Sequence, residues 1–363
     1  MKKGIKIAGG AALGALAIGA GLYVNALSVP GKALLTQCRA ANLIDRETGQ
    51  KVAGAEDMDF DPLTGTIFIS AYDRRAVARE RAAGNVTTQG GIYALALSGI
   101  SEAEILPVRD LTRDFKAANA FRPHGIAFAR DADGPFLVAI NRLYYPGEGS
   151  PVLATTFEEF RFSPAGLTHA ATRRVEGVCD PYDLTAMDAE HGAVFAFTDV
   201  ARRCEGGWFT TAGSVWAERD GTASRIAEGL SFPNGIALVG DNLLVAETRN
   251  RALVKLSPDG TRTTVPLPIG PDNLTGGDGA ILVAGFPNLL DYYFYLQGWL
   301  GFEKSPSAAY RFDPKTRDLQ LLFKDDGSLI SGATVALRAG NYLLLGSAWD
   351  DHIAVCSGLD GVS

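Results

Sequence analysis

The chain has 363 residues, 47% hydrophobic and 21% charged, a globular composition with enough length for a sizeable core. Its formal net charge of -7 argues against nucleic acid as a partner, since phosphate binding needs a basic stripe, and it suits cations or neutral ligands. Forty-two glycines and 17 prolines among many short apolar runs point to many turns and strands.

The N-terminus is a separate object. Lys2, Lys3 and Lys6 precede an uncharged run over 7–31, whose apolar part, 7–24, is long enough for a marginal transmembrane helix. No small-x-small cleavage site is obvious near 25–30, so a retained signal anchor is favoured over a cleaved signal peptide. Residues 1–30 are read as that anchor or signal peptide, and 31–363 as one domain on the far side of the membrane. The expected location is periplasmic or extracellular, anchored through the helix, or secreted if the helix is cleaved.

Export makes disulfides expected among Cys38, Cys179, Cys204 and Cys356. Cys38 and Cys356 bracket the domain and are expected to be bonded; Cys179 and Cys204 flank one hairpin and could form a second bridge. No pair is spaced C-x-x-C, so zinc is not expected.

A short phrase recurs through the chain. It reads Ala55-Glu56-Asp57-Met58, Pro123-His124-Gly125-Ile126, Pro181-Tyr182-Asp183-Leu184, Pro233-Asn234-Gly235-Ile236, Pro271-Asp272-Asn273-Leu274 and, more weakly, Ser331-Gly332-Ala333-Thr334. Each copy is followed by a polar turn and a second apolar run, at 66–70, 136–141, 193–198, 242–247, 280–285 and 342–347. Strand, turn, strand is a hairpin signal. Six such units, each with room for two more strands, predict an all-β fold, a six-bladed β-propeller behind an N-terminal signal-anchor helix. A pair of β-sandwiches would not explain six copies of one phrase.

In a propeller, equivalent positions of the innermost strands face one channel. The second position of the phrase gives Glu56, His124, Tyr182, Asn234, Asp272 and Gly332; the third gives Asp57, Gly125, Asp183, Gly235, Asn273 and Ala333. The set is rich in oxygen ligands and holds no Lys or Arg. Buried carboxylates need a compensating positive charge. Calcium, which takes six to eight oxygens, is the natural occupant.

These phrases, with Phe232-Pro233-Asn234-Gly235-Ile236, Phe286-Pro287-Asn288, Ser331-Gly332-Ala333-Thr334-Val335 and the placement of Cys38 and Cys356, resemble the paraoxonase/arylesterase family and, more distantly, the gluconolactonase and strictosidine synthase propellers. The resemblance implies two calcium ions, one catalytic and one structural. The catalytic ion would take Glu56, Asn234, Asp272 and Asn273; the family's remaining Asn falls at Tyr182, a departure. The structural ion would take Asp57, Asp183 and the carbonyl of Ile126. The family's His dyad maps to His124 and Arg142. Arginine stays protonated and cannot serve as a base, so His124 alone would activate water, or Arg142 would bind an acidic substrate.

The expected activity is calcium-dependent hydrolysis of a small ester or lactone, with an apolar or aromatic substrate. The alternative is a non-catalytic, calcium-stabilised binding propeller. No Gly-x-Ser-x-Gly elbow accompanies the four histidines, His124, His169, His191 and His352, so serine-hydrolase chemistry is not expected. The aromatic stretch 286–302 is expected to be a lid or pocket wall, or to touch the membrane interface.

Overall fold

The computed structural model describes residues 29, 31–117, 120–145, 152–187, 194–200, 213–219, 221–277, 279–298 and 301–359. The expected anchor helix over 7–24 lies outside them. Among the described residues no helix is long and apolar enough to cross a membrane.

The fold is all-β and propeller-like. The chain opens with β1 (Cys38–Asp45) and β2 (Lys51–Val52), then runs through β3 (Ala55–Asp61), β4 (Thr66–Ala71), β5 (Gly91–Ala96) and β6 (Ile105–Asp110). Four four-stranded sheets follow. They are β7 (Pro123–Asp131) to β10 (Gly166–Arg173), with β8 (Gly134–Tyr145) and β9 (Val152–Ser163) between; and β11 (Pro181–Ala186), β12 (Phe195–Asp199), β13 (Gly213–Arg219) and β14 (Thr222–Leu230). Next come β15 (Pro233–Val239), β16 (Asn242–Glu247), β17 (Ala252–Leu256) and β18 (Arg262–Pro266), then β19 (Gly270–Gly277), β20 (Ala280–Phe286), β21 (Ser307–Phe312) and β22 (Leu319–Asp325). The chain ends on β23 (Ala333–Ala339), β24 (Tyr342–Ser347) and β25 (Ile353–Ser357). Among the described residues two α-helices interrupt the pattern, α1 (Arg74–Ala82) after β4 and α2 (Leu289–Gln297) after β20.

Among the described residues the sheets number five, where six blades were expected. Four are four-stranded, and the fifth is a nine-stranded sheet in the order β23-β24-β25-β1-β6-β5-β4-β3, with β2 on β1. The merger has a local cause. The first half of β1 pairs antiparallel with β25, and its second half pairs parallel with β6. The strands β3, β7, β11, β15, β19 and β23 touch in succession, and β23 touches β3, so the innermost strands form a closed ring.

Apolar side chains fill the spaces between successive sheets. Phe136, Val138 and Phe157 of one sheet meet Leu184, Phe195, Phe197 and Trp216 of the next. β20 and β24 are buried almost throughout, which is why such strands read as continuous apolar runs. The expected bond between Cys38 and Cys356 is present, across the β1–β25 pair. Cys179 is also disulfide-bonded; Cys204, with which it could form a second bridge, lies outside the described residues.

Each copy of the recurring phrase is a β-bulge. On β7 the register steps from Pro123 opposite Asn141 to Ile126 opposite Ala139, three residues against two. The same extra residue occurs at Pro181/Leu184, Pro233/Ile236 and Pro271/Leu274, and as two against one at Ala55/Asp57 and Ala333/Val335. A bulge bends the strand and re-aims its side chains. In five copies it spans the second-position residue, Glu56, His124, Tyr182, Asn234 or Asp272.

Candidate active site

Side chains tie the bulges of neighbouring sheets together where no ladder joins them. Asp57 Oδ2 accepts from Ile126 N–H at 2.8 Å, and Asp183 Oδ2 accepts from Ile236 N–H at 2.9 Å. The hydroxyls of Ser70, Thr198 and Thr248 each donate at 2.6 Å to a carbonyl of the next bulge, those of His124, Asn234 and Pro271. Thr334 Oγ1 and Asn273 Nδ2 both donate to the carbonyl of Glu56, at 2.7 and 3.1 Å. The spacing is tight enough to require glycine in two bulges. A Cβ on Gly125 would lie 2.6 Å from the Tyr182 carbonyl oxygen, and one on Gly235 would lie 2.3 Å from that of Asp272.

A cavity of about 650 Å³ opens over this ring. Glu56, His124, Tyr182, Asn234 and Asp272 stand among its lining residues, and so does Arg142. Asp57, Asp183 and Asn273 are buried and outside the lining. Ile126 is buried beside them, its N–H on Asp57.

His124 Nδ1 is hydrogen-bonded to Glu56 Oε2, and its Nε2 is buried without a partner. Burial, with Arg142 and Arg74 nearby, pushes the imidazole down to about 3. It is therefore neutral at pH 7. Glu56 is held below the usual carboxylate range: burial opposes this, but His124 and Arg74 outweigh it. An ionised Glu56 accepts the Nδ1 proton and leaves the Nε2 lone pair open.

The positive charge beside Glu56 was not evident from the repeat. Arg74, at the start of α1, places Nη2 3.3 Å from Glu56 Oε2 and 3.1 Å from His124 Nδ1. It belongs to none of the six phrases, so an inventory of phrase positions passes over it. The local signal is Tyr72-Asp73-Arg74: Asp73 caps α1 by accepting from Ala76 N–H, and the Arg74 guanidinium stacks over the Tyr72 ring at 4.6 Å. Arg142, by contrast, lies 3.6 Å from Asp180 and stacks over Tyr182 at 4.7 Å. Burial lowers its pKa, yet Asp180 and the surrounding tyrosines raise it further, so it stays cationic. The guanidinium cannot act as the second base of a dyad.

The donor set suits an oxygen-liganded cation. Asn234 Oδ1 and Asn273 Oδ1 are buried with no hydrogen-bond partner. Burial and mutual repulsion raise Asp57, Asp183 and Asp272 well above the usual carboxylate range. A hard cation would satisfy the amide oxygens and offset the carboxylates together. Among the described residues, no group of three or more His, Cys, Asp or Glu could hold a metal ion. The set depends on its amide oxygens as well as its carboxylates.

The aromatic stretch forms a wall. α2 is capped by Asn288, which accepts from Leu290 and Asp291 N–H. Leu289, Tyr292, Tyr293 and Leu296 of this helix line the cavity. Tyr292 stacks on Phe286 with centroids 3.5 Å apart. Gly332, the second position of the sixth phrase, has φ +58°, and a Cβ there would meet the Tyr292 ring at 2.9 Å. The sixth copy thus gives up a ligand position to admit an aromatic ring. Arg75 of α1 donates to Tyr295 Oη of α2 at 2.6 Å, joining the two helices. Phe232, also in the lining, sits in the left-handed region at φ 57°, a conformation costing about 1–2 kcal/mol. His169 pairs with Glu158 and His352 with Asp351, both outside the lining. His191 lies outside the described residues.

No protein-family model matches the sequence. No curated protein sequence matches it either. Solved structures do. A protein of unknown function from Dyadobacter fermentans has a TM-score of 0.56 at 12% identity, covering 90% of this chain and 99% of its own. The calcium-binding protein regucalcin from Agrobacterium tumefaciens has a TM-score of 0.47 at 15% identity, covering 88% and 95%. The periplasmic gluconolactonase of Pseudomonas aeruginosa has a TM-score of 0.44 at 11% identity, covering 88% and 91%. The first likeness is one of fold alone, and the other two are too loose to carry function to this chain.

Proposed function

We propose that the chain is an exported hydrolase of carboxylic esters or lactones, built as a six-bladed propeller in which the terminal strand β1 fuses two blades into the nine-stranded sheet. The observation that carries the reading is the pair of buried, unpartnered amide oxygens, Asn234 Oδ1 and Asn273 Oδ1, whose amide groups bond Asp272 and the Glu56 carbonyl beneath the cavity. Glu56, Asn234, Asp272 and Asn273 would hold a catalytic calcium. Asp57, Asp183 and the Ile126 carbonyl would hold a structural one. When bound, the catalytic ion supplies Lewis-acid polarisation of the substrate carbonyl and stabilisation of its oxyanion.

The chain's own groups do the rest. His124 Nε2 takes a proton from the water as its oxygen bonds the acyl carbon and returns it to the departing alkoxide oxygen as the acyl–oxygen bond breaks, while Glu56 fixes the tautomer through Nδ1. Tyr292, Leu289 and Phe286 hold an apolar or aromatic substrate and exclude bulk water. Arg142 orients the substrate without accepting a proton. The test is hydrolysis of a lactone and aryl-ester panel by the 31–363 fragment with and without chelator. Activity lost with chelator and restored by calcium is expected.

A second reading is a binding propeller without turnover. Tyr182 at a ligand position and the Arg74–Glu56 ion pair favour it. It predicts no hydrolysis of any panel member by calcium-loaded protein. The anchor helix, and contact of the protein with a membrane through it, belong to the same proposal; immunoblotting of membrane and soluble fractions, before and after carbonate extraction, tests them.

A further inference from the structure

We propose that the cavity selects an anionic ligand, an apolar or aromatic body carrying a free carboxylate, and that Arg142 is the residue that grips that carboxylate. The proposal rests on the hydrolase reading only for which bond is broken; the binding it describes needs no turnover.

Charge is the first support. Among the described residues, the lining of the cavity carries four arginines, Arg74, Arg81, Arg142 and Arg249, against two carboxylates, Glu56 and Asp272. This is the reverse of the chain as a whole, whose formal net charge is -7. A catalytic calcium would make the cavity more positive still.

Geometry is the second. Arg142 is 4% exposed, and its Nε and Nη2 have no hydrogen-bond acceptor. Asp180 lies 3.6 Å from Nη2, outside the cavity lining, and supplies charge without a hydrogen bond. A buried guanidinium left short of acceptors is strongly unfavourable, and a bidentate carboxylate satisfies it best. Arg142 lies over Tyr182 at 4.7 Å, and Arg81, whose Nε also lacks an acceptor, lies over Tyr144 at 5.4 Å. Stacking on a ring fixes a guanidinium plane and leaves its N–H edges for an acceptor.

Arg74 is the contrasting case, since its Nη2 already lies against both Glu56 Oε2 and His124 Nδ1. The carboxylate of the ligand would thus sit on the Arg142 side, away from the Arg74–Glu56 pair. The apolar body would lie against α2.

The experiment is isothermal titration calorimetry of calcium-loaded protein with 4-phenylbutyrate and its neutral isostere 4-phenylbutanamide. The carboxylate is expected to bind at least roughly tenfold more tightly than the amide. Arg142→Met should remove that preference, and Arg142→Lys should restore part of it. Circular dichroism establishes that each variant is folded. If Arg142→Met does not fold, Arg81→Met serves in its place, with a partial loss of preference expected. Equal binding of carboxylate and amide by the wild type overturns the proposal, as does undiminished preference in folded Arg142→Met. Carboxylate preference in a protein that hydrolyses no ester or lactone sinks the hydrolase reading and leaves this one standing. Hydrolysis of neutral lactones with no carboxylate preference does the reverse.

Discussion

Asn234 shows how one side chain separates function from stability. Its Oδ1 has no partner within the protein, and its amide group bonds Asp272. Alanine there would give up the bond to Asp272 but keep the Thr198 hydroxyl on the residue 234 carbonyl. Asn234→Ala should lower turnover by about 10²-fold or more while shifting the melting temperature by only a few degrees. Steady-state kinetics beside thermal unfolding checks this; a comparable collapse of both would mean that Asn234 is structural. Gly235, its neighbour, should behave in the opposite way. The Cβ of Gly235→Ala would lie 2.3 Å from the Asp272 carbonyl oxygen, a contact that must be relieved by moving backbone. A loss of about 1–3 kcal/mol is expected in denaturant unfolding, and an unchanged midpoint would contradict it.

At this scale the sequence was informative because symmetry did the work. Glu56, His124, Asn234 and Asp272 are far apart in the chain, yet equal position in a repeated phrase brings them to one cavity. Arg74 was invisible to that logic because it lies on an insertion, where the repeat says nothing.

The elements that shape the cavity are the two helices, and both stand outside the repeat. α1 brings Arg74 and Arg81 to the cavity, α2 brings Tyr292, and the Arg75–Tyr295 bond links them. The aromatic density of 286–302 announced a wall, but a composition does not fix which ring stacks on which. Gly332 resolves that in the structure: its missing Cβ is the space into which Tyr292 packs. Tyr292→Ala should leave a hole between Phe286 and Gly332, with a destabilisation of about 3–5 kcal/mol if the site does not collapse. It should also raise KM for aromatic substrates more than it lowers kcat. Calorimetric unfolding and substrate kinetics measure the two effects, and a variant with wild-type stability and KM would show that the ring is not part of the wall.

On the scale of the whole molecule, the ring must be held shut. Cys38 and Cys356 are separated by 318 residues and sit opposite each other on β1 and β25. A loop of that length corresponds to roughly 5–6 kcal/mol in the chain-entropy model, an upper figure because strand pairing also holds the ends. The double variant Cys38→Ser, Cys356→Ser should therefore melt well below the wild type, and reductant should reproduce the shift in part. Matching melting curves for oxidised wild type and double variant would show that strand pairing alone closes the ring. The bracketing cysteines made closure legible in the sequence. The nine-stranded sheet was not, because β1 divides its pairing between β25 and β6 partway along one strand, and nothing in its composition marks the division.

The most direct measurement is hydrolysis of a panel of lactones and aryl esters by wild type, His124→Gln and Asn234→Ala, each assayed with chelator and again after calcium is restored. The account predicts chelator-sensitive turnover by wild type that calcium recovers, a loss of roughly 10²-fold in His124→Gln with metal still bound, and near-background rates in Asn234→Ala. Absence of hydrolysis by wild type whose calcium content has been verified, or turnover indifferent to both substitutions, would contradict it.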